Sequence, residues 1–488
     1  MPCLRLLLGL CLLTIGITTP CRALAEQPLP MNPASLPRDT ALPSLATHAS
    51  ADQQYALYLP PDYSPAEQPE RRWPVLIILD PRGRALESLR LAVDGARRHD
   101  WVVLSSYQSR SDTQEEITLE AIRALLDEAQ NYIAFDPRRL YFAGMSGTAK
   151  TLWSVMPSMD GMMAGMIGCG GARPTEYGKF RTTPPAFFGM AGDLDFNHAE
   201  MMAQEERLAK VDFPHRLDIF SGSHGWPGDA ATFSRAINWL ELIAIRENRR
   251  PPDAAFVASQ VAATRAWLSD APDELERLRR TEQAIQDFRT LADTTEWQAE
   301  RAQLRTSPQI KELEKQAKRL ESVESRFARD FDQWFTRFTM RYAEGRRLSP
   351  PAVDDAIRGL RLQTLEQDAK ASDQRVAASA TRRLERVYVA TSFYLPNAMA
   401  ASGDTERAIR SLEIAIRVFP DRAGAHWRLA TLLARDNAVD KAFRELYRSR
   451  ELGYLDADDL RTNPDWQSLR GDGRWQSLSQ GVQPAIGQ

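Results

Sequence analysis

From Tyr55 to about residue 248, short apolar runs alternate with stretches in which apolar residues return every three or four positions. Runs such as Pro74-Val-Leu-Ile-Ile-Leu-Asp80, Leu140-Tyr-Phe-Ala143, Ala186-Phe-Phe-Gly-Met-Ala191 and Arg216-Leu-Asp-Ile-Phe220 predict strands. Alternation of such strands with helical stretches predicts a mostly parallel sheet covered by helices. Arg249-Arg250-Pro251-Pro252-Asp253 breaks the pattern, and from Ala254 onward the spacing is helical almost throughout. The longest stripe runs through Ile310, Leu313, Ala317, Leu320, Val323, Phe327, Phe331, Trp334 and Phe338. It starts after Ser307-Pro308, stops before Gly345, and predicts one long amphipathic helix whose aromatic end, from Phe327 to Tyr342, is core.

Near the C-terminus the chain repeats itself with a period of 34 residues. Gly403 pairs with Asn437, Ala408 with Ala442, Ile409 with Phe443 and Leu412 with Leu446, while Ala415, Pro420, Leu429, Ala430 and Leu433 supply small or apolar positions. This resembles a tetratricopeptide pair, a unit that buries its apolar face by stacking on neighbours. The helices from about 380 are expected to add a further unit, and the segments around Trp466 and Trp475 to cap the array. The expected organisation is a leader at 1–25, an extended lead-in at 26–50, an α/β domain at 51–248, a helical region at 254–380, and tetratricopeptide-like repeats with a capping helix at 381–480. A concave repeat surface suits a protein partner, and equally suits packing on the α/β domain.

Length and composition fit this division. A chain of 488 residues exceeds what one core normally organises, and 43% hydrophobic with 26% charged residues is globular. Arg5, the apolar stretch Leu6–Ile17 and Ala23-Leu24-Ala25 before Glu26 read as a cleavable export signal, too short for a membrane span. Losing Arg5 and Arg22 takes the net charge from −3 to −5, which argues against a nucleic-acid partner. Cys3, Cys11 and Cys21 leave with the signal, so Cys169 stays alone as a packed thiol and no intrachain disulfide forms. An exported protein without bridges points to a bacterial periplasm, or to secretion. No cofactor, metal or membrane span is expected.

The chemistry centres on Gly144-Met145-Ser146-Gly147, between the strand Leu140–Ala143 and a helical run from Thr148 to Met156. A serine at a strand-to-helix corner, with glycine two residues before it, is held in strained torsions with its hydroxyl exposed. The glycine usual two residues after the serine is absent: Thr148 stands there, and the glycine comes one residue early. A serine nucleophile needs an imidazole base and a carboxylate to orient it. Downstream, one strand ends in Gly192-Asp193-Leu194-Asp195-Phe196-Asn197 and another in Ser221-Gly-Ser-His224-Gly-Trp226-Pro227. His224 is the best-placed of the six histidines; His198 competes from a helix start, and His48 and His99 precede the serine. Asp193 and Asp195 are equally suited by the residues alone.

These motifs resemble the α/β-hydrolase superfamily, in particular secreted esterases similar to feruloyl esterases and polyhydroxybutyrate depolymerases. Tyr55-Ala-Leu-Tyr-Leu-Pro-Pro61 is similar to their opening strand, Gly192-x-x-Asp195 to their acid motif, and Gly222-x-His224-x-Trp226-Pro227 to their histidine motif. The resemblance spans about Gln53 to Asn248. It implies Ser146, Asp195 and His224 as a catalytic triad working through an acyl-enzyme on a small or polymeric ester, with the backbone N–H groups of Gly147 and Arg82 as oxyanion donors. Where the family often has His-Gly-x before the oxyanion donor, this chain has Asp80-Pro81-Arg82-Gly83-Arg84. Arg82 and Arg84 are expected to be solvated, the methionines at 156, 159, 162, 163, 166 and 190 to fill core, and Trp226 to wall a pocket or anchor the core. That departure and Thr148 feed a second reading, a catalytically weak hydrolase-fold scaffold whose repeat domain binds a protein partner.

Overall fold

A computed structural model describes residues 33–173, 184–211, 213–343 and 346–479. The leader at 1–25 and the start of the lead-in lie outside the described residues. The first part forms an eight-stranded sheet: β1 (Ala41–Ala46), β2 (Gln54–Tyr58), β3 (Trp73–Leu79), β4 (Val102–Ser106), β5 (Phe135–Met145), β6 (Met163–Cys169), β7 (Ala186–Gly192) and β8 (His215–Phe220). Its spatial order is β1-β2-β4-β3-β5-β6-β7-β8. Only β1 on β2 and β2 on β4 pair antiparallel; the other neighbours are parallel.

Parallel strands need helical crossovers, and these cover both faces. Helices α1 (Ala85–His99) and α5 (Ala230–Arg246) lie on one face; α2 (Glu115–Tyr132), α3 (Gly147–Val155) and α4 (His198–Ala209) lie on the other. The strand pleat sorts the core accordingly. Val75, Ile77, Leu79, Leu140 and Phe142 join α2, α3 and α4, whereas Leu76, Ile78, Tyr141 and Ala143 join α1 and α5. Five of the six methionines singled out are buried, as core filling requires; Met162 is 38% exposed.

The remaining chain is helical: α6 (Ala254–Ser269), α7 (Glu274–Phe288), α8 (Thr295–Thr306), α9 (Pro308–Thr339), α10 (Val353–Gly359), α11 (Leu362–Asp368), α12 (Gln374–Val389), α13 (Leu395–Ala401), α14 (Thr405–Val418), α15 (Ala423–Arg435), α16 (Val439–Glu451), α17 (Ala457–Thr462) and α18 (Gly473–Ser479). The 34-residue period is written in the backbone: Gly403 and Asn437 both take left-handed torsions, at φ 73° and 58°. Ala408 and Ala442, and Leu412 and Leu446, are fully buried at matching places on α14 and α16. The chain crosses between the two parts at Asp253, whose carboxylate caps α6 by accepting from the Phe256 N–H.

Three expectations need correction. The segment 26–50, expected as an extended lead-in without periodicity, includes an ordered edge strand, β1; Pro43 is tolerated there because the register is irregular between Leu42 and Leu45. The stripe of α9 is buried only at Ile310 and from Phe327 onward, leaving Leu313, Leu320 and Val323 half-buried and Ala317 exposed. Tyr342, expected in the aromatic core, is 60% exposed, because the chain leaves α9 at Thr339 for a two-residue strand.

Candidate functional site

The carboxyl ends of β3, β5, β6, β7 and β8 converge, which is where an open α/β sheet leaves a crevice for ligands. Ser146 leaves β5 there with φ 54° and ψ −121°, torsions that a residue with a side chain adopts only when its surroundings enforce them. The enforcement is visible. A Cβ on Gly144 would lie 2.8 Å from the Ala149 nitrogen, one on Gly147 2.4 Å from Ser111 Cβ, and one on Gly171 2.4 Å from the Ser146 carbonyl oxygen. The turn is therefore closely packed on three sides, twice against backbone and once against the Ser111 side chain. Thr148, where glycine is usual, is buried and useful: its hydroxyl accepts from the Met145 N–H at 3.0 Å and donates to the Leu79 carbonyl at 2.6 Å. It stitches the corner to the end of β3.

His224 stands across from the serine, on the loop after β8. Its Nε2 is 2.9 Å from Ser146 Oγ and its Nδ1 is 2.8 Å from Asp195 Oδ1. Asp195 is fully buried and also accepts the Asn197 N–H at 2.7 Å. Its Oδ2 has no hydrogen-bond partner among the described residues. Asp193 does something else: its Oδ1 accepts the Gly222 N–H at 2.9 Å, fixing the loop that carries His224. Gly170 (φ 56°) makes room for the pair, since a Cβ there would sit 2.7 Å from Asp195 Oδ2 and 3.1 Å from the His224 ring. Phe196 covers the ring from the other side, with centroids 4.2 Å apart.

The other histidines weighed from sequence are committed elsewhere. His48 bonds Glu128, and His99 bonds Asn238. His198 opens α4, where burial and the nearby guanidinium groups of Arg382 and Arg279 push its pKa down to about 3. Cys169 is buried, its thiol pushed well up by burial and by Asp195, and it donates to the Gly225 carbonyl at 3.1 Å. Among the described residues no group of three or more His, Cys, Asp or Glu is gathered for a metal, and no helix is long and apolar enough to cross a membrane.

The two oxyanion donors expected from sequence differ in state. The Gly147 N–H lies in the first turn of α3, where helical N–H groups have no intrahelical acceptor. The Arg82 N–H is not available: it donates to Asp80 Oδ1 at 2.8 Å. Asp80, fully buried, gathers every donor in reach, including the Arg84 N–H at 3.1 Å, the Arg84 guanidinium at 3.1 Å and the Trp226 indole at 2.9 Å. Burial alone would raise its pKa, but these hydrogen bonds hold it below the usual carboxylate value. Arg82 and Arg84 are exposed, as expected, while Arg84 also holds the Asp80 carboxylate. Trp226 serves as an anchor, tying the histidine loop to the loop after β3.

The helical part contributes too. Arg382 on α12 donates to the Asp193 carbonyl at 2.9 Å, beyond β7. Twelve residues on, the Tyr394 hydroxyl feels the charges of Asp112 and Arg82, beyond β4 and β3; burial pushes its pKa up to about 12. Through Arg382, helix α12 is tied to the loop after β7 that carries Asp193 and Asp195.

Sheet order, strained corner and loop placement together make the first part an α/β-hydrolase fold. No protein-family model matches the chain, and no curated protein does. Among solved structures it is similar to an S-formylglutathione hydrolase from Staphylococcus aureus, at 15% identity over 41% of this chain and 96% of that one, with a TM-score of 0.34. It is also similar to esterase 2 of Thermogutta terrifontis phosphonylated by sarin (11%, 41% and 92%, TM-score 0.33). A third is Est1E from Butyrivibrio proteoclasticus (12%, 40% and 95%, TM-score 0.31). Each likeness is confined to about two fifths of the chain.

Proposed function

We propose that the protein is a serine hydrolase acting on carboxylic esters. The observation that carries this reading is the continuous hydrogen-bond line from Ser146 Oγ through His224 to the buried Asp195, at 2.9 and 2.8 Å, on a serine held at positive φ. Ser146 Oγ attacks the ester carbonyl while His224 Nε2 takes its proton, and the same nitrogen returns that proton to the departing alkoxide. Asp195 holds the Nδ1–H tautomer and stabilises the imidazolium. Water, activated by His224, then releases the acid. The Gly147 N–H donates to the oxyanion. With the Arg82 N–H committed to Asp80, the transition state lacks a second donor from that loop, which is worth roughly 2.7–4 kcal/mol. The reading is of a working but unhurried esterase, acting after export, with a tetratricopeptide-like array behind it.

Purified protein should hydrolyse short p-nitrophenyl esters and be labelled by a fluorophosphonate at Ser146. Ser146→Ala should lose the label and reduce turnover by at least about 10⁴. Hydrolysis that survives the substitution, or a label on another serine, would overturn the assignment.

A further inference from the structure

Between the sheet edge and the helical part lies a cavity of about 570 Å³. Its walls are α3, α4 and the turn after β6 on one side, α9 and α12 on the other. It adjoins the Ser146 line: Phe196, whose ring lies against that of His224, is in its wall, as is Ala172, one residue beyond the glycine pressed on the Ser146 carbonyl. Lys150, one turn along α3 from Ser146, completes that side.

The charge on this wall is lopsided. Six cations line it (Lys150, Arg173, Arg207, Arg382, Arg383 and Arg386) against Glu200, Glu321 and Glu324. Lys150 faces Glu200 at 3.5 Å, Arg382 holds Glu324 at 2.6 Å, and Arg386 looks outward to Asp332 at 3.7 Å. Arg207 and Arg383 have no carboxylate within 4.0 Å among the described residues. Arg383 is the telling case. It is only 8% exposed, its Nε donates to the Ser379 carbonyl at 3.1 Å, and its guanidinium carbon stands 6.0 Å from the Phe327 ring. Glu324 and Asp368 act on it only from a distance. Its terminal nitrogens make no hydrogen bond to the described residues and open on the cleft, where an anion would find free donors.

We propose that this cleft binds an anionic group, a carboxylate or a phosphate, carried by the ester whose carbonyl is presented to Ser146, with Arg383 as its central ligand and Arg207 at its rim. The proposal rests on the esterase reading and assigns the helical part a share in substrate choice. Guanidinium groups suit this role because their planar donors match the oxygens of carboxylate and phosphate.

The test compares mono-p-nitrophenyl adipate, with a charged acyl end, against p-nitrophenyl hexanoate, its uncharged counterpart. The ratio of kcat/KM values, adipate over hexanoate, should exceed about ten, and should fall at least about fivefold in Arg383→Gln and in Arg207→Gln. Arg207 is exposed, so its variant reads binding even if the buried arginine proves necessary for folding. A wild-type ratio near one, or a ratio unmoved by both substitutions, overturns the proposal. Titration of adipate and of inorganic phosphate into Ser146→Ala protein separates this outcome from failure of the esterase reading. Saturable binding, weakened at least about fivefold by adding Arg383→Gln, upholds the subsite even where no ester is turned over; adipate binding marks a carboxylate site and phosphate-only binding a phosphate site. No saturable binding of either anion overturns it, whatever the hydrolysis assays give.

Discussion

Asp193 and Asp195 lie two residues apart on one loop, and their carboxylates do unrelated work. Asp195 faces the imidazole; Asp193 fixes the backbone that carries it. Asp195→Asn is therefore expected to lower kcat by about 10⁴ with the fold intact, whereas Asp193→Asn should cost far less, acting through the loop; paired kinetics and circular dichroism decide the matter. Residue types alone left the two acids equal, because only the path of the chain after β7 turns one carboxylate inward. The same limit applied at Arg82. Its place in the sequence suited an oxyanion donor, but nothing in the sequence revealed that the buried Asp80 beside it would take the N–H. Thr148 ran the other way: it stands where glycine is usual and is a hydrogen-bonded brace. Thr148→Val keeps the shape, strands the Met145 N–H and Leu79 carbonyl, and should destabilise by about 1–3 kcal/mol, measurable as a lowered urea midpoint.

At the scale of elements, legibility followed burial. Strands buried on both faces, such as β3 and β7, announce themselves as unbroken apolar runs. Edge strand β1 does not, since half of its side chains face solvent and it carries a proline. The α9 stripe was legible as a helix, but its period could not tell which turns would find a partner. The joint between α4, α7 and α12 has a pH dependence whose sign can be derived. Folded His198 stays neutral down to about pH 3, while in the unfolded chain it takes up a proton near 6.5. Between those values the unfolded state binds more protons, so stability rises with pH there and is lost as pH falls from 6.5 towards 3, by up to about 1.4 kcal/mol per pH unit. Urea midpoints at pH 7 and pH 5 should show the drop, and His198→Gln should shrink it.

For the molecule as a whole, the two parts are welded rather than tethered. The Trp239 indole on α5 donates to Asp287 on α7 at 2.7 Å, and Arg279 on α7 reaches Glu205 on α4 at 2.8 Å and the Leu217 carbonyl on β8 at 3.2 Å. The outer face of α5, at Leu242 and Ile245, packs into a cluster with Val257, Leu268, Ala284, Phe288 and Trp297. Calorimetry is accordingly expected to show one cooperative transition, while a fragment ending near residue 250 should keep its sheet but aggregate through the bared α5 face. Two resolved transitions, or a soluble and fully active fragment, would contradict this. Sequence pattern located the change from alternating to helical spacing near 250, because composition shifts there. It did not reveal the weld, which depends on polar partners such as Trp239 and Asp287, 48 residues apart.

The hydrogen bond from Arg382 to the Asp193 carbonyl joins positions 189 residues apart. Ser146, Asp195 and His224 all precede α12 in the chain, so the loop after β7 receives its Arg382 clamp only once the helical part has been made, and a chain cut short before α12 lacks it.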